Sequence, residues 1–119
     1  MSGYLFYPPA DAAQDRIWAD TVEQWGKAQA VTYMTGLHTH LQKLSETRSL
    51  WRKLPRDLVI PTDLRTEAFF SRYERHFLFF RELPSGKIGI MAILHDRMDI
   101  PVRLHEDLTS ISDRLRDED

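Results

Sequence analysis

Cysteine is absent from the 119-residue sequence. Its absence excludes disulfide bridges, cysteine-ligated zinc and thiol nucleophiles. The sequence also has no apolar run near the roughly 20 residues that a membrane-spanning helix needs. Its N-terminus lacks the charged-then-apolar pattern of a signal peptide. We therefore expect a cytoplasmic protein with no membrane partner.

A strong net charge is missing as well. The sequence has 16 basic and 18 acidic residues and a formal net charge of -2, so no global positive field draws it onto nucleic acid. Six of the acidic residues but only two of the basic ones lie from Glu106 onward, which leaves a mildly positive body. The length suits one domain over residues 1–119, with residues 104–119 as an acidic helical extension.

The N-terminal half predicts a short strand and two helices. Tyr4–Tyr7 is an aromatic-rich strand that Pro8 and Pro9 cut off, and a helix then runs to about Trp25, where Gly26 is a natural cap. The tight link to a second helix predicts an antiparallel helical hairpin. The second helix has apolar residues at alternating four- and three-residue steps: Ala30, Met34, Leu37, Leu41 and Leu44.

Two features near this hairpin call for packing contacts. Gly36 within the second helix costs about 1 kcal/mol relative to alanine, so we expect a close contact there. Thr47–Thr62 is irregular and basic, and we interpret it as a solvated loop whose Trp51 plugs the end of the hairpin rather than as a binding loop.

Three strands follow, joined by short links that predict an antiparallel meander. They are Leu64–Phe70, Glu74–Glu82 and Lys87–His95, with turns at Ser71-Arg72 and at Leu83–Gly86. The helical hairpin can cover one face of this sheet. A last helix over Pro101–Arg116 is predicted from Leu104, Leu108, Ile111 and Leu115. The predicted fold class is therefore α+β.

The third predicted strand is apolar on both sides, which is typical of a central strand. Its two-residue period places Ile88, Ile90, Ala92 and Leu94 on one face and Gly89, Met91 and Ile93 on the other. The strand leads into a polar cluster, His95–Asp99, before Pro101. Asp96 and Asp99 in this cluster are interpreted as turn or helix caps rather than as an acid-base pair.

Motifs for established chemistries are scarce. The sequence shows no phosphate-binding glycine loop and no metal-ligand spacing, so we expect no cofactor and no metal. His38 and His40 are two apart on a helix and cannot share a face. We interpret them as surface or hydrogen-bonded core histidines.

One possible catalytic set consists of Arg65, Arg81 and His95, one on each predicted strand. If all three lie on the uncovered sheet face, two guanidinium groups could stabilise a phosphate and the imidazole could move a proton, as in a metal-independent ribonuclease. The alternative is that the arginines pair with nearby carboxylates and His95 ends its strand. The register between strands cannot be derived from the sequence, so both interpretations stay open.

Several short motifs occur in an order that resembles a known family. They are Tyr4-x-Phe6-x-Pro8-x-Ala10, Ile17-Trp18, Thr21-x-Glu23-x-Trp25-Gly26, Gln29-Ala30 with Tyr33, His76-Phe77-x-Phe79-Phe80-Arg81, and Ile88-x-Ile90 followed by Leu94-His95-x-Arg97-Met98-Asp99. Across about Tyr4 to Leu104, the chain is similar to ParE-type toxins of bacterial type II toxin–antitoxin systems, within the ParE/RelE superfamily.

This resemblance implies a helical hairpin packed on an antiparallel sheet and a complex with an antitoxin whose C-terminal segment wraps the toxin. It also implies poisoning of DNA gyrase rather than catalysis or sequence-specific binding of nucleic acid. The sister RelE branch cleaves messenger RNA in the ribosome, and a degenerate toxin that only binds its antitoxin is a third possibility. The near-neutral charge favours the gyrase interpretation over a ribosomal one.

Two groups of residues are candidates for these contacts. Trp18, Val22 and Trp25 lie on the shoulder of the first helix and could form a groove with the hairpin for an amphipathic antitoxin segment, or belong to the core. His95, Arg97 and Met98 follow a strand end and are the candidates for contact with the target.

Overall fold

The structure, a computed structural model, describes residues 3–55 and 68–118, with side chains as far as residue 112. It confirms the predicted α+β fold, and no helix in these ranges has the length and apolar character to cross a membrane. The elements are β1 (Tyr4–Phe6), α1 (Pro8–Trp25), α2 (Lys27–Glu46), a short 3-10 helix (Arg48–Leu50), β2 (Arg52–Lys53), β3 (Ala68–Tyr73), β4 (His76–Glu82), β5 (Ile88–His95) and α3 (Ile100–Glu118).

Gly26 joins the two helices of the hairpin by itself. Its φ of 92° lies in the region that side-chain-bearing residues rarely adopt, which confirms the predicted cap. Its N–H donates to the Val22 carbonyl at 2.9 Å, and its carbonyl accepts from the Ala30 N–H at 3.1 Å. The same glycine therefore ends α1 and begins α2.

The sheet has the strand order β1-β5-β4-β3-β2, and β3, β4 and β5 form the predicted antiparallel meander. β1 pairs in parallel with β5. The predicted turn at Ser71-Arg72 is wrong, because β3 continues to Tyr73 and the turn lies at Glu74-Arg75. Ser71 is buried and hydrogen-bonded to His40 of α2 at 3.0 Å, so it belongs to the packed strand. Predicted strand residues 64–67 lie outside the described residues.

A bulge at Met91 changes which residues of β5 share a face. Phe79 pairs with Ala92 while Phe80 pairs with Ile90, so Met91 is the extra residue. The predicted strict alternation is therefore wrong beyond Ile90. Ile88, Ile90 and Ile93 face the helical hairpin, whereas Met91, Ala92 and Leu94 face the opposite side.

Each face of the sheet packs against helices. On the hairpin face, as predicted, α1 and α2 bury Ala10, Ala13, Ile17, Leu37, Leu41 and Leu44 against Leu78, Phe80, Ile88, Ile90 and Ile93. On the other face, the predicted C-terminal helix α3 buries Leu104, Leu108 and Ile111 against Ala68, Phe79, Met91, Ala92 and Leu94. The sheet face away from the hairpin, on which a phosphate site was one possibility, is thus covered by the chain's own α3.

Trp51 closes the end of the hairpin, as predicted. Its indole Nε1 donates to the Leu44 carbonyl at 2.7 Å, and its ring contacts Phe69 and Phe80 at centroid distances of 5.2 and 5.4 Å. The Arg48 guanidinium lies 4.7 Å from the ring centroid on the solvent side. Residues 47–55 of the predicted loop also contribute the edge strand β2, while residues 56–62 lie outside the described part of the chain.

Gly36 allows the close approach of α2 to β3, as expected from its position inside a helix. A methyl group at this position would overlap the Tyr73 hydroxyl oxygen. That hydroxyl donates to the Tyr33 carbonyl at 3.2 Å, so the contact is also a hydrogen bond between the helix and the strand.

We expect Gly36→Ala to lower the free energy of unfolding by about 1–2 kcal/mol. Alanine gains about 1 kcal/mol of helix propensity, but overpacking and the displaced hydroxyl cost more than this gain. Urea unfolding measures the change. In a Tyr73→Phe background, which lacks the overlapping oxygen, the same substitution should cost much less. A Gly36→Ala protein more stable than the parent would contradict the packing argument.

Candidate functional site

Arg81 and His95 do not come together in the structure. Arg81 pairs with Ala68 and Gly89, and it lies on the α3 face because its neighbour Phe80 points to the hairpin. His95 pairs with His76 at the other end of β5, on the hairpin face. The two side chains thus occupy opposite faces and opposite ends of the sheet. Arg65, the third member of the possible ribonuclease set, lies outside the described residues.

His95 instead belongs to a cluster of hydrogen-bonding side chains at the end of the sheet. Its ring stands edge-on to the His76 ring at a centroid distance of 5.0 Å. The His76 Nδ1 lies 2.6 Å from the Tyr33 hydroxyl, and the Tyr33 ring also contacts Tyr73 at 5.2 Å. This cluster joins α2, β3, β4 and β5 at a single point.

Burial keeps Tyr33 and His76 of this cluster uncharged at neutral pH. Burial is the main cause that raises the pKa of Tyr33 to about 12, so the hydroxyl keeps its proton at neutral pH. Burial and the neighbouring His95 lower the pKa of His76 to about 4, although Asp96 and Asp20 oppose this shift. At neutral pH His76 is therefore an uncharged ring whose Nδ1 can accept a hydrogen bond from the Tyr33 hydroxyl.

We expect stability to fall as the pH decreases from about 6.5 to about 4. An unfolded histidine takes up a proton near pH 6.5, whereas folded His76 resists it until about pH 4, so acid favours the unfolded chain over this window. The loss should be on the order of 2 kcal/mol, since the ring keeps some solvent contact. Urea unfolding at several pH values measures it.

His76→Gln is the matched variant for this pH dependence, because the glutamine amide oxygen can accept a hydrogen bond from the Tyr33 hydroxyl but does not titrate. Between pH 7 and pH 4, the free energy of unfolding of this variant should fall by about 2 kcal/mol less than that of the parent. An unchanged pH profile in the variant would show that other groups cause the acid sensitivity.

The residues after β5 form an ordered turn that we call the β5–α3 turn, Asp96–Asp99. The Arg97 N–H donates to His95 Nδ1 at 3.0 Å, and the Met98 N–H donates to the His95 carbonyl at 3.0 Å. Asp96 accepts from Arg72 at 3.0 Å, which supports its predicted structural role. Arg97 and Met98 are exposed at the surface, so these predicted contact residues are accessible in the free protein.

The predicted antitoxin-binding residues form a stripe on α1 that ends at the tip of the hairpin. Trp18, Val22 and Trp25 follow one another at steps of four and three residues, so they share one side of the helix. Trp18 and Val22 are half-buried, but the Trp25 side chain is 73% exposed. Val31, in the first two turns of α2 after Gly26, is a second exposed apolar residue near this end of the hairpin, with 49% of its surface accessible. Sequence periodicity did not identify Val31 because it lies outside the buried stripe of α2.

The outer surface of the hairpin becomes polar away from this tip. An open cavity of about 550 Å³ lies along α2, lined by Tyr4, Met34, Thr35, His38, Thr39 and Gln42. His38 Nδ1 lies 2.9 Å from the Tyr4 hydroxyl, and His38 Nε2 lies 2.9 Å from Gln14 Oε1. On α1, the exposed Asp11 and Asp15 continue the stripe of Trp18 toward the helix start. The hairpin therefore presents an apolar tip followed by a polar, acidic surface.

Neither His38 nor His40 is placed for metal binding. His38 is engaged by Tyr4 and Gln14, while His40 bonds Ser71 on the other side of α2, and burial lowers its pKa. Within residues 3–55 and 68–118, no group of three or more potential ligand side chains could hold a metal ion. Both histidines are hydrogen-bonded structural residues, as predicted.

Comparisons with known proteins agree with the motifs. Residues 4–100 match the model of the family described as ParE toxin of the type II toxin–antitoxin system parDE. The chain is 30% identical over 99 residues to the toxin ParE1 of Mycobacterium tuberculosis, covering 83% of this chain and 94% of that protein. It is 26% identical over 108 residues to the toxin ParE of Escherichia coli, covering 91% and 98%. The chain therefore belongs to the ParE toxin family of type II toxin–antitoxin systems.

Proposed function

We propose that this toxin acts by binding and poisoning DNA gyrase and that a cognate antitoxin neutralises it. The observation that carries the first part is the separation of Arg81 from His95 on opposite sheet faces, which leaves the ribonuclease set without a shared phosphate site. A protein that inhibits by binding needs exposed contact residues instead. Arg97 and Met98 in the β5–α3 turn offer such contacts.

The antitoxin would occupy the outer surface of the hairpin. The exposed Trp25 and Val31 and the half-buried Trp18 suit the apolar side of an amphipathic helix. The exposed side chains of α1 carry four carboxylates, Asp11, Asp15, Asp20 and Glu23, against one guanidinium, Arg16. We therefore expect the antitoxin segment to carry lysine or arginine beside its apolar residues.

A direct comparison of the two possible targets tests the proposed activity. Purified toxin is added to a gyrase supercoiling and DNA-cleavage assay, and separately to translating ribosomes with a defined message. We expect loss of supercoiling with accumulation of cleaved DNA, and relief of both effects when antitoxin is added. Message cut only in the presence of ribosomes would contradict the proposal and favour the RelE-type activity. No effect in either assay, with harmless expression, would identify a degenerate toxin that only binds its antitoxin.

Substitution at the turn tests the proposed contact residues. Arg97→Ala should weaken gyrase inhibition and leave the free energy of unfolding within about 0.5 kcal/mol of the parent, since the side chain is exposed. Arg52→Ala, at an exposed position on the edge strand β2, is the matched control. Full inhibition by the Arg97 variant would remove this residue from the proposed contact surface.

A further inference from the structure

The β5–α3 turn has few contacts of its own with the core. Arg97, Met98 and Asp99 are all exposed, and the Met98 side chain is 37% accessible. Hydrogen bonds and ring contacts therefore keep the turn ordered. Besides the Arg72–Asp96 ion pair and the bond from the Met98 N–H to the His95 carbonyl, two routes of contacts lead to the turn from the Tyr33 hydroxyl on α2.

The first route passes through the two histidines. The Tyr33 hydroxyl meets His76 Nδ1 at 2.6 Å, and the His76 ring contacts the His95 ring edge-on at 5.0 Å. His95 Nδ1 then accepts from the Arg97 N–H at 3.0 Å. The position of the His95 ring, which His76 supports, therefore decides where the Arg97 backbone is held.

The second route passes through the backbone of the β3–β4 turn. The Tyr33 hydroxyl lies beside the Arg75 backbone, whose polarity opposes the burial that raises the pKa of Tyr33. The Arg75 carbonyl accepts from the Asp96 N–H at 2.8 Å. The phenol is thus next to two neighbouring turns. The residues that it connects lie about 40 positions apart in the sequence, so the arrangement depends entirely on the fold.

The donors and acceptors of the first route agree with one another. A backbone N–H can only donate, so His95 Nδ1 is the acceptor of the bond from Arg97. The same nitrogen lies 3.1 Å from Asp96 Oδ1, so the first residue of the turn also contacts this ring. The Tyr33 hydroxyl can donate to His76 Nδ1.

We propose that Tyr33 is a positioning residue for target binding: its hydroxyl holds His76, the His76 ring supports the His95 ring, and these hold the β5–α3 turn in the conformation that contacts the target. This inference rests on the proposed function, because it assumes that Arg97 and Met98 contact gyrase. Tyr33 acts through the turn and is not one of the proposed contact residues.

Tyr33→Phe removes the hydroxyl and keeps the ring. Amide hydrogen exchange, measured by NMR on the free toxin, should become about five- to tenfold faster at Asp96, Arg97 and Met98. Exchange at Leu78 and Ile93, in the central strands, should change less than twofold. Tyr73→Phe is the matched control, because its hydroxyl also bonds to residue 33 but through the Tyr33 carbonyl, so its loss leaves the bond between the Tyr33 hydroxyl and His76 in place.

The exchange measurement is independent of gyrase, so it distinguishes failure of the inference from failure of the proposed function. Unchanged exchange at the turn in Tyr33→Phe would overturn the inference, as would equal acceleration in Tyr73→Phe or a parallel acceleration of all amides. If the parent toxin inhibits gyrase, Tyr33→Phe should inhibit it several-fold less and Tyr73→Phe should not differ from the parent. Faster exchange with full inhibition would show that the target does not need the held turn and would also overturn the proposal.

Discussion

Replacing Leu108 by alanine should lower the free energy of unfolding by about 2–5 kcal/mol. Leu108 has no exposed surface and lies in the apolar cluster between α3 and the sheet, so the substitution leaves a cavity. Val102→Ala on the same helix is the matched control, because Val102 is 51% exposed and should cost no more than about 0.5 kcal/mol. Urea unfolding at pH 7 measures both. Equal, small losses would mean that α3 does not pack on the sheet in solution.

Two truncations extend this test to the whole helix. Removing residues 105–119 deletes Leu108 and Ile111 and uncovers apolar residues of β4 and β5, among them Phe79 and Met91. We expect that variant to lose cooperative unfolding and to bind a hydrophobic dye. Removing only the acidic residues 117–119 takes away no apolar side chain and should leave cooperative unfolding intact. A cooperative 105–119 deletion would show that α3 is dispensable for the fold.

Replacing Trp25 by alanine should weaken antitoxin binding by about 2–4 kcal/mol, which is about 30- to 1000-fold in Kd. A tryptophan that is 73% exposed contributes little to the folded monomer but offers a large apolar area to a partner. The free energy of unfolding should therefore change by no more than about 0.5 kcal/mol. Titration calorimetry with the antitoxin measures the change in Kd, and urea unfolding of the free toxin measures the change in the free energy of unfolding.

Neighbouring residues supply the controls for this prediction. Gln24→Ala is exposed and adjacent but lies on another side of α1, so it should leave the affinity unchanged. Trp18→Ala, at a half-buried position of the same stripe, should lower both affinity and stability. If Trp25→Ala binds the antitoxin as tightly as the parent, the hairpin tip is not the docking surface.

The helical part of the fold could be predicted from the sequence because its signals are local. The spacing of Leu37, Leu41 and Leu44 predicts the buried side of α2, and Gly26 predicts the break between the helices. The composition around Ser71-Arg72 resembles a turn, but Ser71 has a buried partner on α2 that no local pattern indicates. Likewise, the apolar spacing of Leu104 and Leu108 predicts a helix without indicating which face of the sheet it covers.

The candidate site could be predicted only in part, for the same reason. The stripe Trp18–Val22–Trp25 follows from helical spacing, whereas the difference in exposure between its members depends on the packing of α1. Polar residues after β5 indicate a turn, but the support of that turn by Tyr33 joins residues far apart in sequence. Arg81 and His95 are far apart because the register pairs Arg81 with Gly89 and His95 with His76. The sequence of a single strand does not encode that register.

The bulge at Met91 also limits how residue matches in this strand can be interpreted. Residues after the bulge face the side opposite to the one a regular strand would give them, so the side of the sheet that His95 occupies is decided four positions earlier. A homologue with the same number of residues between Ile90 and its own histidine but no bulge would carry that histidine over the C-terminal helix, on the same face as Arg81. In an alignment the two histidines would still match. Transferring a role from one histidine to the other therefore requires knowing whether both strands contain the bulge.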